Sequence, residues 1–196
     1  ETIVTDEHYD AFSDGPIRHA SLFQGQVYDA NKEIPDWTLP GFTGHWSSAV
    51  EIPLSAENAI LEDLPAIRDI QRLNYDRLRC VGQIGNGVKC VAKLPAKRIS
   101  QPRPGVFVYD FGQNLSGIPE IHFPAELTGK KVTLRYAEVL YPELQEYEAN
   151  RGMIMVENLR AALVTDEVIL SGNALTFRPQ FTFHGFRYME LTGLDA

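Results

Sequence analysis

The chain has 196 residues, 44% of them hydrophobic and 22% charged, which is typical of a globular protein with a sizeable core. Its net charge of −8 argues against nucleic acid as the main partner, because neutralising phosphates needs a basic face. No apolar run approaches the roughly 20 residues of a membrane-spanning helix, and the 2 cysteines are too few for a disulfide framework or a structural zinc site. This balance suits a neutral ligand such as a sugar.

The first 50 residues are rich in turn residues and show little periodicity. The stretch IRHASLF, residues 17–23, predicts a short strand, and a long ordered loop that carries both tryptophans, Trp37 and Trp46, is expected after it. Further along, the stretch SAENAILEDLPAIRDI, residues 55–70, has the composition of one short helix that ends before Pro65.

A hairpin is predicted next, because Asn86 stands between two glycines in a strong turn signal. Cys80 and Cys90 flank this turn and would face each other across neighbouring strands. A cross-strand disulfide and two half-buried free thiols both fit this arrangement.

Strand patterns dominate the C-terminal half, where apolar and polar residues alternate with a period of two. The stretches are GVFVYD (105–110), KVTLRYAEVL (131–140), TFRPQFTF (176–183) and RYMELTG (187–193). In the third of them, the alternation places Phe177, Phe181 and Phe183 on the apolar face. Short strands at this spacing, without helical patterns between them, predict an all-β fold built as an antiparallel β-sandwich with a loop-rich N-terminal segment.

Two polar stretches are the candidate sites. DFGQNLSG, residues 110–117, is interpreted as the turn that leaves the strand GVFVYD, and VENLRAALVTD, residues 156–166, forms a second loop. Their planar amides, carboxylates and guanidinium suit sugar hydroxyls or a hard cation such as calcium. The same residue types also build tight turns and Arg–carboxylate pairs that fix two loops together. The candidates for carbohydrate binding or an interdomain contact are Asp110, Gln113, Asn114, Glu157, Asn158 and Arg160.

The remaining candidates are a histidine, three glutamates and the two loop tryptophans. His184 precedes a glycine at a predicted turn, where a histidine more often bonds the backbone than a ligand. The glutamates of the 141–148 segment favour a charged loop over a glycosidase acid–base pair, because nothing apolar surrounds them. Trp37 and Trp46 would stack on a sugar face if the chain were an autonomous carbohydrate-binding module, and they suit an interdomain contact equally well. No histidine shows metal-ligand spacing, so no metal centre is predicted.

Four motifs in order over residues 104–193 resemble the accessory β-sandwich of bacterial α-L-rhamnosidases of glycoside hydrolase family 78. They are VYDFGQNLSG, GKKVTLRYAEVLYPE, MVENLRAALVTD and RPQFTFHGFRYMELTG, and in the last of them His184 is among the matched residues. Upstream, GPIRHASLFQGQVYDA is similar to the family's N-terminal region, with Gln26 where a glutamate is more usual.

The resemblance implies a concanavalin-like or jelly-roll sandwich over residues 51–196 and the tail of a preceding N-terminal β module, with its linker, over residues 1–50. It implies that the acid and base that hydrolyse terminal α-L-rhamnose lie on a separate (α/α)6 barrel whose signature is absent here, so no catalytic residue is assigned. The implied partners are that barrel and the N-terminal module of the same parent chain, and a rhamnose-containing carbohydrate. No cofactor is expected beyond the open question of calcium, and a secreted or periplasmic parent is favoured.

Overall fold

The computed structural model describes residues 6–50, 81–82 and 84–194. The helix predicted over residues 55–70 lies outside them. Within the described ranges, helical structure is limited to short 3-10 turns at Ala30–Lys32, Gln145–Asn150 and Glu157–Leu159, so the all-β prediction is confirmed. None of the described helices is long and apolar enough to cross a membrane.

The chain divides into two compact units. Unit 1 consists of Glu1–Ser13 and Thr43–Lys89, and unit 2 consists of Asp14–Phe42 and Cys90–Ala196. In unit 1, strand β1 (Asp10–Ala11) pairs antiparallel with β4 (Ser47–Ser48). The domain boundary at residue 50 stays a prediction.

The strands of unit 2 are β2 (Ile17–Ser21), β3 (Gly25–Asp29), β5 (Arg98–Arg103), β6 (Val106–Gly117), β7 (Ile121–Phe123), β8 (Lys131–Ala137), β9 (Val139–Leu140), β10 (Ile154–Met155), β11 (Thr165–Ile169), β12 (Leu175–Phe177) and β13 (His184–Thr192). Seven of them form one sheet with the order β2-β3-β11-β8-β13-β6-β5. All neighbours in it are antiparallel except β3 and β11, which run parallel. Two smaller antiparallel pairs, β7 with β12 and β9 with β10, complete the unit.

The main core lies on one face of the large sheet, as the alternation in the sequence predicts. Val132, Leu134 and Tyr136 of β8 are fully buried there, together with neighbours from β11 and β13. Phe123 of β7 and Phe177 of β12 pack onto the same cluster, so the β7–β12 pair covers this face. A smaller cluster on the opposite face joins Val108, Ala137, Ile154 and Tyr188.

The predicted turn at DFGQNLSG is wrong, because β6 runs through the whole stretch to Gly117. The strand absorbs the glycine-rich sequence as a bulge: residues 111–114 stand opposite the single residue Arg187 of β13. Gly112 supplies the positive φ of 81° that this bulge requires.

The strand predicted over residues 176–183 is also wrong beyond Phe177, where β12 ends. Pro179 has no N–H to donate to a ladder, and Phe181 adopts a φ of +60° that is incompatible with a strand. The predicted faces are inverted here, since Phe181 and Phe183 are exposed and Thr182 is buried.

Two further differences concern the N-terminal half of the sequence. The strand near residues 17–23 is confirmed as β2, but β3 follows it directly in place of the predicted long loop. The hairpin predicted around Asn86 is wrong, because no strand lies within residues 84–97. Cys90 is an exposed free thiol, and Cys80 lies outside the described residues.

Candidate functional site

A buried polar network centred on Asp166 lies inside the main core of unit 2. Asp166 is fully buried on β11, and its Oδ2 accepts hydrogen bonds from the Tyr136 hydroxyl at 2.6 Å and contacts His184 Nε2 at 3.1 Å. Its Oδ1 accepts the backbone N–H of Gln26 at 2.8 Å. The carboxylate therefore connects β11 with β8, β13 and β3.

The alternation of β11 explains why an acid lies in the core. Asp166 shares its inward position with Val168, and it pairs in register with Leu134 of β8. An isolated carboxylate would be too costly in this position, but two donors and the His184 ring nitrogen surround it. The Asp166 carboxylate thus replaces apolar packing with a fully bonded connection between four strands.

Aromatic stacking completes the network. The His184 ring stacks on the Tyr136 ring with 4.1 Å between the centroids and 20° between the planes. Burial, followed by the neighbouring Asp166 carboxylate, raises the pKa of Tyr136 well above its usual value, so this hydroxyl stays protonated and donates. His184 therefore bonds a buried side chain, whereas the sequence pattern favoured a bond to the backbone.

The chemistry available to this network is limited by burial. A paired aspartate and histidine form part of many acid–base sites, but a reacting atom must approach within hydrogen-bonding distance of the histidine. His184 is 2% exposed and Asp166 is 0% exposed, so a sugar substrate does not reach either group in this structure. The network is suited to holding strands together.

Asp110 is engaged in a second, more superficial pair at the bulge. Arg187 donates to both of its oxygens, from Nε at 2.9 Å and from Nη2 at 3.0 Å. The N–H of Gly112 adds a third bond at 2.7 Å. The Arg187 guanidinium, with the Gly112 N–H, holds the pKa of Asp110 below its usual range.

The other candidates of this stretch do not join that pair. Gln113 and Asn114 are exposed, and their side chains make no hydrogen bond within the part of the chain that the structure describes. Glu157, Asn158 and the C-terminal neighbour Arg160 lie at an exposed 3-10 turn. No hydrogen bond or ion pair among residues 84–194 connects this turn with Asp110, Gln113 or Asn114.

A matched pair of variants tests this division of roles. We expect Asp110→Asn to lower the Tm by about 2–4 °C at pH 7, because it weakens the bidentate pair, and Asn114→Ala to leave the Tm unchanged within about 1 °C. Because the folded pKa of Asp110 is lowered, its contribution is present at neutral pH and is lost as the pH falls through that pKa. Thermal unfolding of the three proteins at pH 7 and pH 3 checks this; a larger loss for Asn114→Ala would contradict it.

Glu157 is hydrogen-bonded to Tyr141, and within the described residues it makes no bond with the candidates of the 110–117 stretch. The Tyr141 hydroxyl donates to Glu157 Oε1, and this bond lowers the pKa of Glu157 and raises that of Tyr141. Tyr141 in turn packs against Tyr147, with 5.6 Å between the ring centroids. This contact ties the 3-10 turn at Glu157–Leu159 to the segment that follows β9.

The two tryptophans lie in different units. Trp37 is 58% exposed in the loop after the Ala30–Lys32 turn of unit 2. Trp46 belongs to unit 1, where it packs edge to face against Phe12 with the ring centroids 6.4 Å apart.

Calcium binding by this chain stays a prediction. Residues 6–50, 81–82 and 84–194 contain no cluster of three His, Cys, Asp or Glu side chains able to hold a metal ion.

Glu190 is a buried acid on the opposite face of the sheet. It is paired with Arg135 at 3.6 Å, and its Oε2 has no hydrogen-bond partner among the described residues. Burial raises the pKa of Glu190, and the positive charges of Arg135 and Arg103 offset part of this effect. The ionised form is therefore less favourable in the folded state than in the unfolded chain.

Because burial disfavours ionised Glu190, we predict that Glu190→Gln increases the free energy of unfolding and that this increase depends on pH. With a raised folded pKa, the stability that protonated Glu190 contributes is complete below the unfolded pKa and is lost as the pH rises through the folded one. We expect the variant to gain about 1 kcal/mol relative to the native chain between pH 4 and pH 7. Urea unfolding at both pH values measures this difference, and an equal effect at both would contradict it.

Sequence reasoning missed three members of the buried network as site residues: Asp166, Tyr136 and Gln26. A usable signal existed for Asp166, since an acid alternates with Val168 and Leu170 at the apolar positions of its strand. Gln26 gave no such signal, because its burial depends on the parallel pairing of β3 with β11.

Comparison with known proteins identifies what the chain is similar to. The description "Bacterial alpha-L-rhamnosidase concanavalin-like domain" matches residues 100–196, and "Alpha-L-rhamnosidase N-terminal domain" matches residues 1–71. An α-L-rhamnosidase from Streptomyces avermitilis is 38% identical over 93% of this chain and 15% of its own length. One from Alteromonas sp. strain LOR is 30% identical over 98% of this chain and 18% of its own. The solved α-L-rhamnosidase from Dictyoglumus thermophilum has 30% identity and a TM-score of 0.77, covering 100% of this chain and 19% of that one.

Proposed function

We propose, from the premise that this chain belongs to the bacterial α-L-rhamnosidase family, that it is a non-catalytic accessory region of a larger glycoside hydrolase that removes terminal α-L-rhamnose. The chain spans less than a fifth of the length of the relatives compared with it. A catalytic domain elsewhere in the parent protein, the helical barrel that the family resemblance implies, would then carry the acid and the base.

The burial of the Asp166–His184 pair is the observation that carries this proposal. It combines an acid with a base, yet both side chains are enclosed in the core. Asp110 is committed to Arg187, and Glu157 is committed to Tyr141. A glycosidase needs two carboxyl groups that flank the scissile bond. In contrast, the carboxyl groups of Asp166, Asp110 and Glu157 are each hydrogen-bonded to other side chains of the chain.

The accessory role would be mechanical. A sheet whose strands are joined through a bonded carboxylate is a rigid body, and a rigid body can support a catalytic domain and shape the rim of its substrate entrance. In this proposal the fragment contributes no proton-transfer step.

A direct assay tests the proposal. The pure 196-residue chain should not hydrolyse an aryl α-L-rhamnoside, whereas the parent protein that contains it should. Turnover by the pure chain that Asp166→Asn or Glu157→Gln abolishes would show that catalysis lies here. A parent protein without α-L-rhamnosidase activity would contradict the assignment of the whole enzyme.

An autonomous carbohydrate-binding module is the second candidate, and the exposure of Trp37 favours it. A tryptophan exposed in a loop is able to stack on a sugar face, and the exposed amides of Gln113 and Asn114 remain available to hydroxyl groups. Calorimetry of the chain with millimolar L-rhamnose, with and without calcium, separates the candidates. Binding heat that Trp37→Ala removes would support the module, and absence of heat would support the accessory role.

A further inference from the structure

One end of the large sheet carries a concentration of exposed apolar side chains, which we name the end patch. It lies where β3, β11 and β13 begin and β2 ends, since these strand ends fall together in the observed pairing. Each of its side chains is more than half exposed. The members of the end patch are Leu22, Phe23, Leu163, Phe181 and Phe183.

Hydrogen bonds hold the loops of the end patch next to one another. Gln24 is the main connector: its Oε1 accepts the N–H of Leu163 at 2.9 Å, and its backbone carbonyl accepts the N–H of Thr165 at 2.9 Å. The third loop is joined by Gln180, whose N–H donates to Gln26 Oε1 at 2.5 Å. The exposed apolar residues thus belong to one ordered surface and not to three independent loops.

The backbone beneath the end patch is strained. Arg160, Val164 and Phe181 have φ values of 55°, 46° and 60°. This left-handed region is unfavourable for every residue that carries a Cβ, and most of all for a β-branched residue such as valine. Such residues tend to cluster at functional surfaces, where the strain serves to present a side chain. At Phe181 the strained backbone holds an aromatic ring that is 74% exposed.

Two buried polar atoms at the same end also have no hydrogen-bond partner within the described residues. They are Nε2 of Gln26 and Oγ1 of Thr182, which lies between the two exposed phenylalanines. Buried polar groups are nearly always bonded, so two such atoms at one end mark packing that is incomplete. Exposed apolar surface, strain and unbonded polar atoms coincide at this end of the sheet.

We propose that the end patch is the docking surface for another domain of the parent polypeptide. This inference rests on the proposed function. The occupant follows from length, since the compared relatives are more than five times as long as the region they share with this chain. Gln24, Arg160 and Gln180 are interspersed with the apolar residues, and such mixed polarity is typical of contacts between domains of one chain.

Thiol labelling in the full parent protein tests the docking. Phe181→Cys and Phe183→Cys are made separately in a parent background in which every native cysteine, Cys80 and Cys90 among them, is replaced by Ser. Labelling with a maleimide is timed at native pH. Leu39→Cys is the matched control, because Leu39 is 56% exposed in unit 2 outside the end patch. We expect the thiols at positions 181 and 183 to react at least about tenfold more slowly than the thiol at position 39, and equally fast after denaturation.

The outcomes are distinct. Equal rates at the three positions in the native parent would overturn the docking proposal, because the patch would then be open to solvent. Protection that disappears on dilution would overturn it in favour of a second copy of the chain. Measuring α-L-rhamnosidase activity in the same samples keeps the two proposals apart, since an active parent with an unprotected patch rejects only the docking.

Discussion

Asp166→Ala is expected to destabilise unit 2 by about 3–5 kcal/mol. The alanine would leave the Tyr136 hydroxyl, the Gln26 N–H and the His184 ring buried without their partner. Each buried group left without its partner costs about 1–3 kcal/mol. Urea unfolding at pH 7, followed by circular dichroism, measures the loss.

Glu167→Ala is the matched control on the same strand. Glu167 faces away from the core and pairs with Lys131 at 2.8 Å on the surface, so its removal should cost less than about 1 kcal/mol. If Asp166→Ala does not fold, Tyr136→Phe removes only one donor and should cost about 1–2 kcal/mol. Losses below about 0.5 kcal/mol for both core variants would show that the network does not stabilise the fold.

Gly25→Ala is expected to cost about 2–4 kcal/mol, although it adds only one methyl group. Gly25 has a φ of 104°, and a Cβ built there would lie 2.0 Å from the backbone oxygen of Thr165. Relief of this clash needs movement of β3 away from β11, which would also lengthen the bond between the Gln26 N–H and Asp166. The loss should appear in urea unfolding as a lower midpoint with an unchanged slope.

Gly15→Ala provides the contrast within the same unit. No heavy atom lies within 4 Å of a Cβ at Gly15, so the alanine should be neutral or stabilise the chain slightly by restricting the unfolded state. A similar loss at both glycines would mean that flexibility of the chain, and not the close approach of β3 to β11, is what Gly25 provides.

The parts of this fold that were predictable from sequence are those governed by local alternation. The pattern of β8 gave its buried face correctly, with Val132, Leu134 and Tyr136 in the core. The same reasoning failed over Phe181 and Phe183, because Pro179 and a positive φ at Phe181 break the strand that alternation assumes. A period of two identifies faces only where the backbone is extended.

The candidate site shows a second limit of sequence reasoning. The role of Asp110 in sugar binding or an interdomain contact stays a prediction. Its observed partner, Arg187, lies 77 positions away and becomes its neighbour only through the β6–β13 pairing. Glycine and amides in DFGQNLSG have the composition of a turn, and the bulge uses the same composition inside a strand. Composition indicates that the backbone departs from regularity, whereas the partner strand decides which irregularity forms.

The parallel pairing of β3 with β11 also has a consequence for synthesis of the chain. The partners Gln26 and Asp166 are 140 residues apart, so the β2–β3 hairpin has no neighbour to join until residues 165–169 have been made. At about 5–20 residues per second, that delay is roughly seven to thirty seconds. Throughout this time the free edge of β3 is open to pairing with other nascent chains, and contacts of such high sequence separation also slow folding. Production of this chain should therefore depend more on chaperone capacity and temperature than the stability of the finished sheet would suggest.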